Sequence, residues 1–248
     1  MNGFISRTTT LAAALLALSA TAQADNYQQP TRGLYLERGT VNTVKGASID
    51  LATGSGDFEN SGGIRLGLPL GELILNSNLS GGGANEAAFK IGLPKATLGD
   101  GLNLDWASYL GLAHIDVDGP NGEKGTNYTN IVLGAAATIS RGDLLLTFNP
   151  EWEHADDARD DEILNLGFGV GYTFGETGAG RFQPNFEYTA VIGGKDGPNG
   201  EKTDGDDMAA GVRWMYNDRL TMDFAVLVKV SGTDANSLPG FMAVNYKL

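Results

Sequence analysis

Residues 219–231, RLTMDFAVLVKVS, put Leu220, Met222, Phe224, Val226, Val228 and Val230 on one face of an extended chain. Thr221, Asp223, Ala225, Leu227 and Lys229 fall on the other. Alternation at period two is the pattern of a strand with one apolar face. The same alternation runs through Leu164, Leu166, Phe168, Val170, Tyr172 and Phe174, through Phe182, Phe186, Tyr188, Ala190 and Ile192, and through Ile131, Leu133, Ala135, Ala137 and Ile139. These runs exceed the usual strand of about 5–6 residues. Their second faces carry Gly, Ala, Asn and Thr with isolated charges, where a soluble sandwich would turn a charged face to water. That composition fits a closed sheet with its apolar side to lipid and its small or polar side to a lumen.

Counting such runs gives twelve strands, near residues 44–53, 62–70, 72–80, 86–94, 102–115, 127–140, 143–153, 162–175, 181–192, 207–217, 219–231 and 240–248, with 10–14 compatible with the pattern. The connectors alternate too. Leu70-Gly71-Glu72, Ser140–Asp143, Glu176–Gly180 and Asn217-Asp218-Arg219 are tight turns. The stretches 53–61, 80–85, 116–126, 154–161, 193–206 and 232–239 are generally longer and more polar. Pro94–Gly101 is long for a tight turn. Short turns on one side and longer loops on the other, with an even strand count, predict an all-β, antiparallel up-and-down transmembrane β-barrel over residues 44–248 with both ends on the short-turn side. Residues 25–43 are predicted to extend the first strand or to lie in the periplasm or the lumen.

The last strand adds a resemblance. Met242, Val244, Tyr246 and Leu248 alternate back from an apolar terminus. This resembles the C-terminal assembly signal of Gram-negative outer-membrane β-barrel proteins, in particular small porin-like or transporter-like barrels, with Leu248 where that class usually ends in Phe. The resemblance implies recognition by the barrel assembly machinery through Tyr246 and Leu248, and contact with outer-membrane lipid and lipopolysaccharide. The aromatics Trp106, Tyr172, Phe174, Phe182, Trp214, Tyr216 and Tyr246 fall near the short-turn ends and predict one interfacial girdle. Trp152 and Tyr188 are candidates for the opposite one.

Targeting and charge sharpen this picture. Residues 1–24 carry one cation, Arg7, an apolar run from Leu11 to Ala20, and Ala22-Gln23-Ala24. This is the layout of a cleaved secretory signal peptide. The 248-residue chain has a formal charge of -13, and loss of Arg7 takes it to -14. That balance excludes a reader of nucleic-acid phosphates. No cysteine is present, so thiolate catalysis and Cys-ligated metal are excluded. The acids concentrate in the longer loops. Residues 154–162 hold Asp156, Asp157, Asp160, Asp161 and Glu162 against Arg159, and residues 193–207 include Asp204 and Asp206. They form a candidate acidic rim, which either steers cations to the mouth or is a solvated edge bridged by divalent cations to lipopolysaccharide.

Candidate chemistry is sparse. Two loops share the word DGPNGEK, at 118–124 and 196–202. Asp116, Asp118, Asn121 and Glu123, with Asp196, Asn199 and Glu201, offer oxygens for calcium, but Pro120 stands where an EF-hand places a ligand. The word therefore reads as shared turn chemistry, and no metal or cofactor is expected. The two histidines, His114 and His154, lie near rim aspartates and lack a serine partner, so a rim hydrolase is the third reading and no catalytic residue is assigned. Parity sends Arg65, Lys90, Asp105, Glu187, Arg213 and Asp223 into the lumen as its candidate lining. The Gly and Ala faces of the sixth and eighth strands are expected to leave space there. The sequence thus predicts an outer-membrane pore or transporter for small solutes. The alternative is a closed structural or surface-interaction barrel that binds divalent ions, lipopolysaccharide or a partner.

Overall fold

The chain forms one antiparallel sheet that closes on itself. The computed structural model describes residues 32, 34, 36–42, 44–54, 60–79, 83–116, 128–156, 161–193, 206–230 and 240–248. Its strands are β1 Ala47–Gly54, β2 Ser61–Leu68, β3 Gly71–Asn78, β4 Gly83–Gly92, β5 Ala96–Thr97, β6 Asn103–Asp116 and β7 Tyr128–Arg141. They continue with β8 Leu144–Asp156, β9 Asp161–Tyr172, β10 Phe174–Thr177, β11 Gly180–Gly193, β12 Asp207–Met215, β13 Leu220–Lys229 and β14 Gly240–Lys247. Every neighbour pairing is antiparallel, and β14 pairs β1 with Val244 opposite Leu51, which seals the ring. Twelve strands make the wall, as the alternation predicts, and β5 and β10 are short additions to it.

Both additions have local causes. The long connector after β4 holds its own small hairpin, in which Ala96 pairs Leu104 and Thr97 pairs Asn103. Its turn runs through positive φ at Gly99, Asp100 and Gly101, which Gly and Asp tolerate better than other residues. The strand expected over 162–175 is interrupted at Thr173. The backbone N–H of Thr173 donates to the Asp143 carbonyl at 2.9 Å, and the register against β11 shifts between Phe174 and Thr177. This is a bulge, a common device at barrel rims.

The two faces separate as the alternation requires. Leu110, Leu112, Ile131, Leu133, Leu146, Phe148, Phe168, Val170, Phe186, Val212, Phe224 and Val226 stand exposed around the outside. An unbroken apolar band of this kind belongs against hydrocarbon. Inward positions are buried, among them Ser48, Arg65, Lys90, Thr138, Gln183 and Thr221. At the short-turn end, Phe174, Phe182, Trp214 and Tyr216 form a row with ring centroids 6.2, 6.1 and 5.5 Å apart. The polar edges of two girdle indoles are satisfied. Trp214 Nε1 donates to the Ala179 carbonyl at 2.6 Å and Trp106 Nε1 to the Pro94 carbonyl at 2.8 Å. Beneath this row Leu220, Met222 and Val244 pack with Tyr246. The backbone N–H of Leu248 donates to the Ala47 carbonyl at 2.8 Å, so the barrel begins and ends at this same end.

These faces set a measurable asymmetry. Leu166→Arg or Phe224→Arg, on the outer face near mid-height, should cost about 2–4 kcal/mol of stability on folding into lipid vesicles. Asn165→Arg, one residue away and inward, should cost clearly less; reversed sensitivities would put the wall inside out.

Candidate functional site

Residues 32–42 do not extend β1. The described residues 32, 34 and 36–42 lie inside the barrel, and Arg32 and Glu37 face each other across an isolated antiparallel bridge. The segment enters at the short-turn end, where β1 begins, and docks on strands all around the wall. The N–H groups of Leu34 and Leu36 each donate to one carboxylate oxygen of Glu187 on β11, both at 2.8 Å. The Glu37 N–H donates to Asn149 Oδ1 on β8 at 3.1 Å, the Gly39 N–H to Thr138 Oγ1 on β7 at 3.0 Å, and the Asn42 N–H to Glu72 Oε2 on β3 at 2.7 Å. A segment without regular structure thus satisfies its backbone against wall side chains, as burial demands.

Charge pairing completes the seal. Arg65 on β2 bonds three carboxylates: Asp50 of β1 at 3.2 Å, Glu72 of β3 at 3.0 Å, and Glu37 of the internal segment. Arg65 bonds both Glu37 oxygens, and Lys90 on β4 shares Oε2 with it at 2.8 Å. Arg32 joins Asp50 at 3.1 Å. On the far side Arg213 clasps Asp223 with two bonds of 2.7 and 2.8 Å and also donates to the Arg32 carbonyl at 3.0 Å. Arg38 donates to Gln183 Oε1 at 3.1 Å. Lys90, Glu72, Gln183 and Arg213 are wholly inaccessible to solvent. Among the described residues, these pairs fill the lumen at this level.

Five of the six residues assigned to the lining, Arg65, Lys90, Glu187, Arg213 and Asp223, are inward and buried as parity requires, and they grip the internal segment or one another. The sixth, Asp105, pairs Lys95 at 2.7 Å near the short-turn mouth. The space expected over the Gly and Ala faces is filled. A Cβ at Gly167 would lie 2.5 Å from Leu36 Cδ2, and a side chain at Gly134 would overlap the Tyr109 ring. Arg32, Glu37, Arg38, Glu72 and Tyr109 escaped the sequence reading. The available signal was three charges and two leucines within a few residues just ahead of β1. Glu72 was hidden because it reads as the last residue of a turn.

Toward the loop end, the internal segment floors a cavity of about 500 Å³. Its wall includes Asn76, Glu86, Glu151, Asn165, Thr189 and Asp207. Glu86 accepts from Asn76 Nδ2 at 2.9 Å. Glu151 accepts from the Tyr109 hydroxyl at 2.7 Å, and Asn149 Nδ2 donates to that same hydroxyl at 2.8 Å.

Other candidates fall elsewhere. His114 lies against Thr129 Oγ1 at 3.3 Å and His154 stacks on Trp152 with centroids 6.0 Å apart. Both occupy outward positions, away from the lumen. Asp206 accepts from the Tyr188 hydroxyl at 2.7 Å and the Val191 N–H at 3.0 Å. Asp156 and Asp161 sit at the ends of β8 and β9. Asp157, Asp160, Asp204 and both DGPNGEK loops lie outside the described residues, as does the signal-peptide segment.

No protein-family model matches the sequence, and a search of curated proteins finds no match. Solved structures do match. A NanC porin is 13% identical, with a TM-score of 0.52 over 82% of this chain and 100% of that one. A chain from a study of in-meso crystallization of membrane proteins is 14% identical, with a TM-score of 0.52 over 82% of this chain and 83% of its own. OccAB1 of Acinetobacter baumannii is 9% identical, covers 76% of this chain and 57% of its own, and has a TM-score of 0.43. The first two likenesses are of fold alone. Taken with the closed ring of twelve strands and its outer apolar band, they show that the chain has the antiparallel β-barrel fold seen in outer-membrane porins.

Proposed function

We infer that this is an outer-membrane pore or transporter for small solutes in which residues 32–42 act as a movable plug. The observation that carries this reading is the chemistry of the closure. The wall contributes Arg65, Lys90 and Glu187 to a segment that precedes β1 and belongs to no strand. A barrel closed for good would be expected to fill with apolar side chains, because a buried ion pair adds little net stability over a well-packed apolar replacement. Charges held by a tethered segment make a closure that can come apart into water, where each partner is readily solvated. Export by the N-terminal signal, insertion through the C-terminal Tyr246 and Leu248, and residence among lipopolysaccharide belong to the same reading. The second reading, a permanently closed surface barrel, is favoured by the complete burial of Lys90 and Arg213.

Planar-bilayer conductance separates the two. Gly167→Val should push Leu36 aside without altering any charge, and Glu187→Ala should release the N–H groups of Leu34 and Leu36. Each variant should conduct at least severalfold more than the native barrel. If both fold and conduct no more than the native barrel, the closed-barrel reading stands.

Once open, the mouth should favour cations modestly. The acids of residues 154–162 act through screening lengths of about 8 Å at physiological salt and about 30 Å at 0.01 M. Reversal potentials of Gly167→Val under a salt gradient should show cation preference in dilute salt, reduced when those acids become Asn and Gln. Anion preference in dilute salt would refute the steering argument.

Arg65 should be the most sensitive residue of the seal. Arg65→Met leaves Glu37, Asp50 and Glu72 without its guanidinium, and breaking a buried pair this way costs about 3–5 kcal/mol. Urea unfolding from lipid vesicles measures the loss, and a cost under about 1 kcal/mol would mean that the cluster is wet.

A further inference from the structure

Among the described residues, the lining of the cavity above the plug carries an excess of acids that the seal below it lacks. Its floor charges are matched, since Arg32 and Arg65 pair with Asp50 and Glu37. Glu86 on β4 and Glu151 on β8 also line it, and the partners found for them are neutral: Asn76 at 2.9 Å for Glu86, and Tyr109 at 2.7 Å with Asn165 at 3.5 Å for Glu151. Asp207 lines the same space from β12. A second, independent feature lies on β11. Thr189 is only 9% exposed and lines the cavity, and its hydroxyl has no hydrogen-bond partner among the described residues. Leaving a buried hydroxyl unmet is costly unless something comes to meet it.

The geometry points to a binding site for a small organic cation, an ammonium or guanidinium compound that also carries neutral hydrogen-bonding groups. A cavity of about 500 Å³ is large for a bare ion and within the range of small-molecule sites. Among the described residues no three acidic or histidine side chains converge closely enough to hold a metal ion. The carboxylates are spread around the wall, which suits a molecule several atoms long. Its charged group meets Glu86 or Glu151 and displaces neutral donors that are easily given up, while a charge-assisted bond to carboxylate is about twice as strong as a neutral one. Asn76, Asn165 and Thr189 serve the rest of the ligand. The site rests on the transport reading for its access from solvent, but binding can be measured whether or not the barrel conducts.

The test is isothermal titration of the full mature barrel, refolded in detergent, with spermidine as the probe and with sorbitol and calcium as comparisons. Spermidine should bind with a one-to-one component that sorbitol lacks and that equimolar calcium does not displace. The double variant Glu86→Gln, Glu151→Gln should weaken that component by at least about tenfold, and Thr189→Val by a smaller factor. A variant with the acids of 154–162 replaced by Asn and Gln should retain it. Native-like affinity in folded Glu86→Gln, Glu151→Gln protein would overturn the site, and so would loss of the component on loop neutralisation or its displacement by equimolar calcium. Failure of the plug variants to conduct would leave this result untouched, so the two ideas fail separately.

Discussion

Charge compensation among buried side chains of the lumen is the constraint on which this structure turns. Period-two alternation forces every second residue inward, and hydrocarbon outside excludes the charged ones, so Asp50, Arg65, Glu72, Lys90, Glu187, Arg213 and Asp223 all share one interior. At low effective dielectric an unmatched charge is expensive. Arg213 and Asp223, cross-strand neighbours on β12 and β13, settle that account within the wall. Arg65 likewise pairs Asp50 and Glu72 within the wall, and Lys90 stands opposite Glu72, while both also reach Glu37 of the internal segment. Of these wall residues the four acids outnumber the three bases by one, and the internal segment, with Arg32 and Arg38 against Glu37, supplies the balancing charge; that segment in turn has no regular structure of its own to satisfy its backbone.

The strand plan was legible because it depends on local alternation. Predicted strand limits fall within a few residues of those observed, and the faces assigned to residues 131–139, 164–174 and 220–230 face as expected. The plug was not legible for the opposite reason. Leu34 and Leu36 are held by Glu187, about 150 residues away, and no local pattern encodes such a pairing. The glycines misled in an instructive way. The Gly-rich inner faces of the sixth and eighth strands predict space in the lumen, whereas the missing side chains of Gly134 and Gly167 make way for Tyr109 and Leu36. A Gly-rich inner face records what packs against it as readily as it records a void.

The matched folds share 13–14% of their residues with this chain. Alternation tolerates such divergence, because any apolar residue serves outside and most small or polar ones serve inside. What distinguishes one such barrel from another is the set of side chains meeting in the lumen, and function has to be argued there. In this chain that set divides into two levels: a neutralised belt around Arg65 and Arg213, and an acid-rich cavity above it around Glu86 and Glu151.

The position of the plug in the chain bears on the order of assembly. Residues 32–42 precede β1, yet their partners sit on β1, β2, β3, β4, β7, β8, β11 and β12. No partial sheet presents all of these together. Only when β14 has zipped onto β1 do they ring a common centre, and the segment, anchored beside that seam, can then fold up into it from the short-turn end. Residues 32–42, which precede every strand of the wall in the chain, are therefore among the last to find their native places.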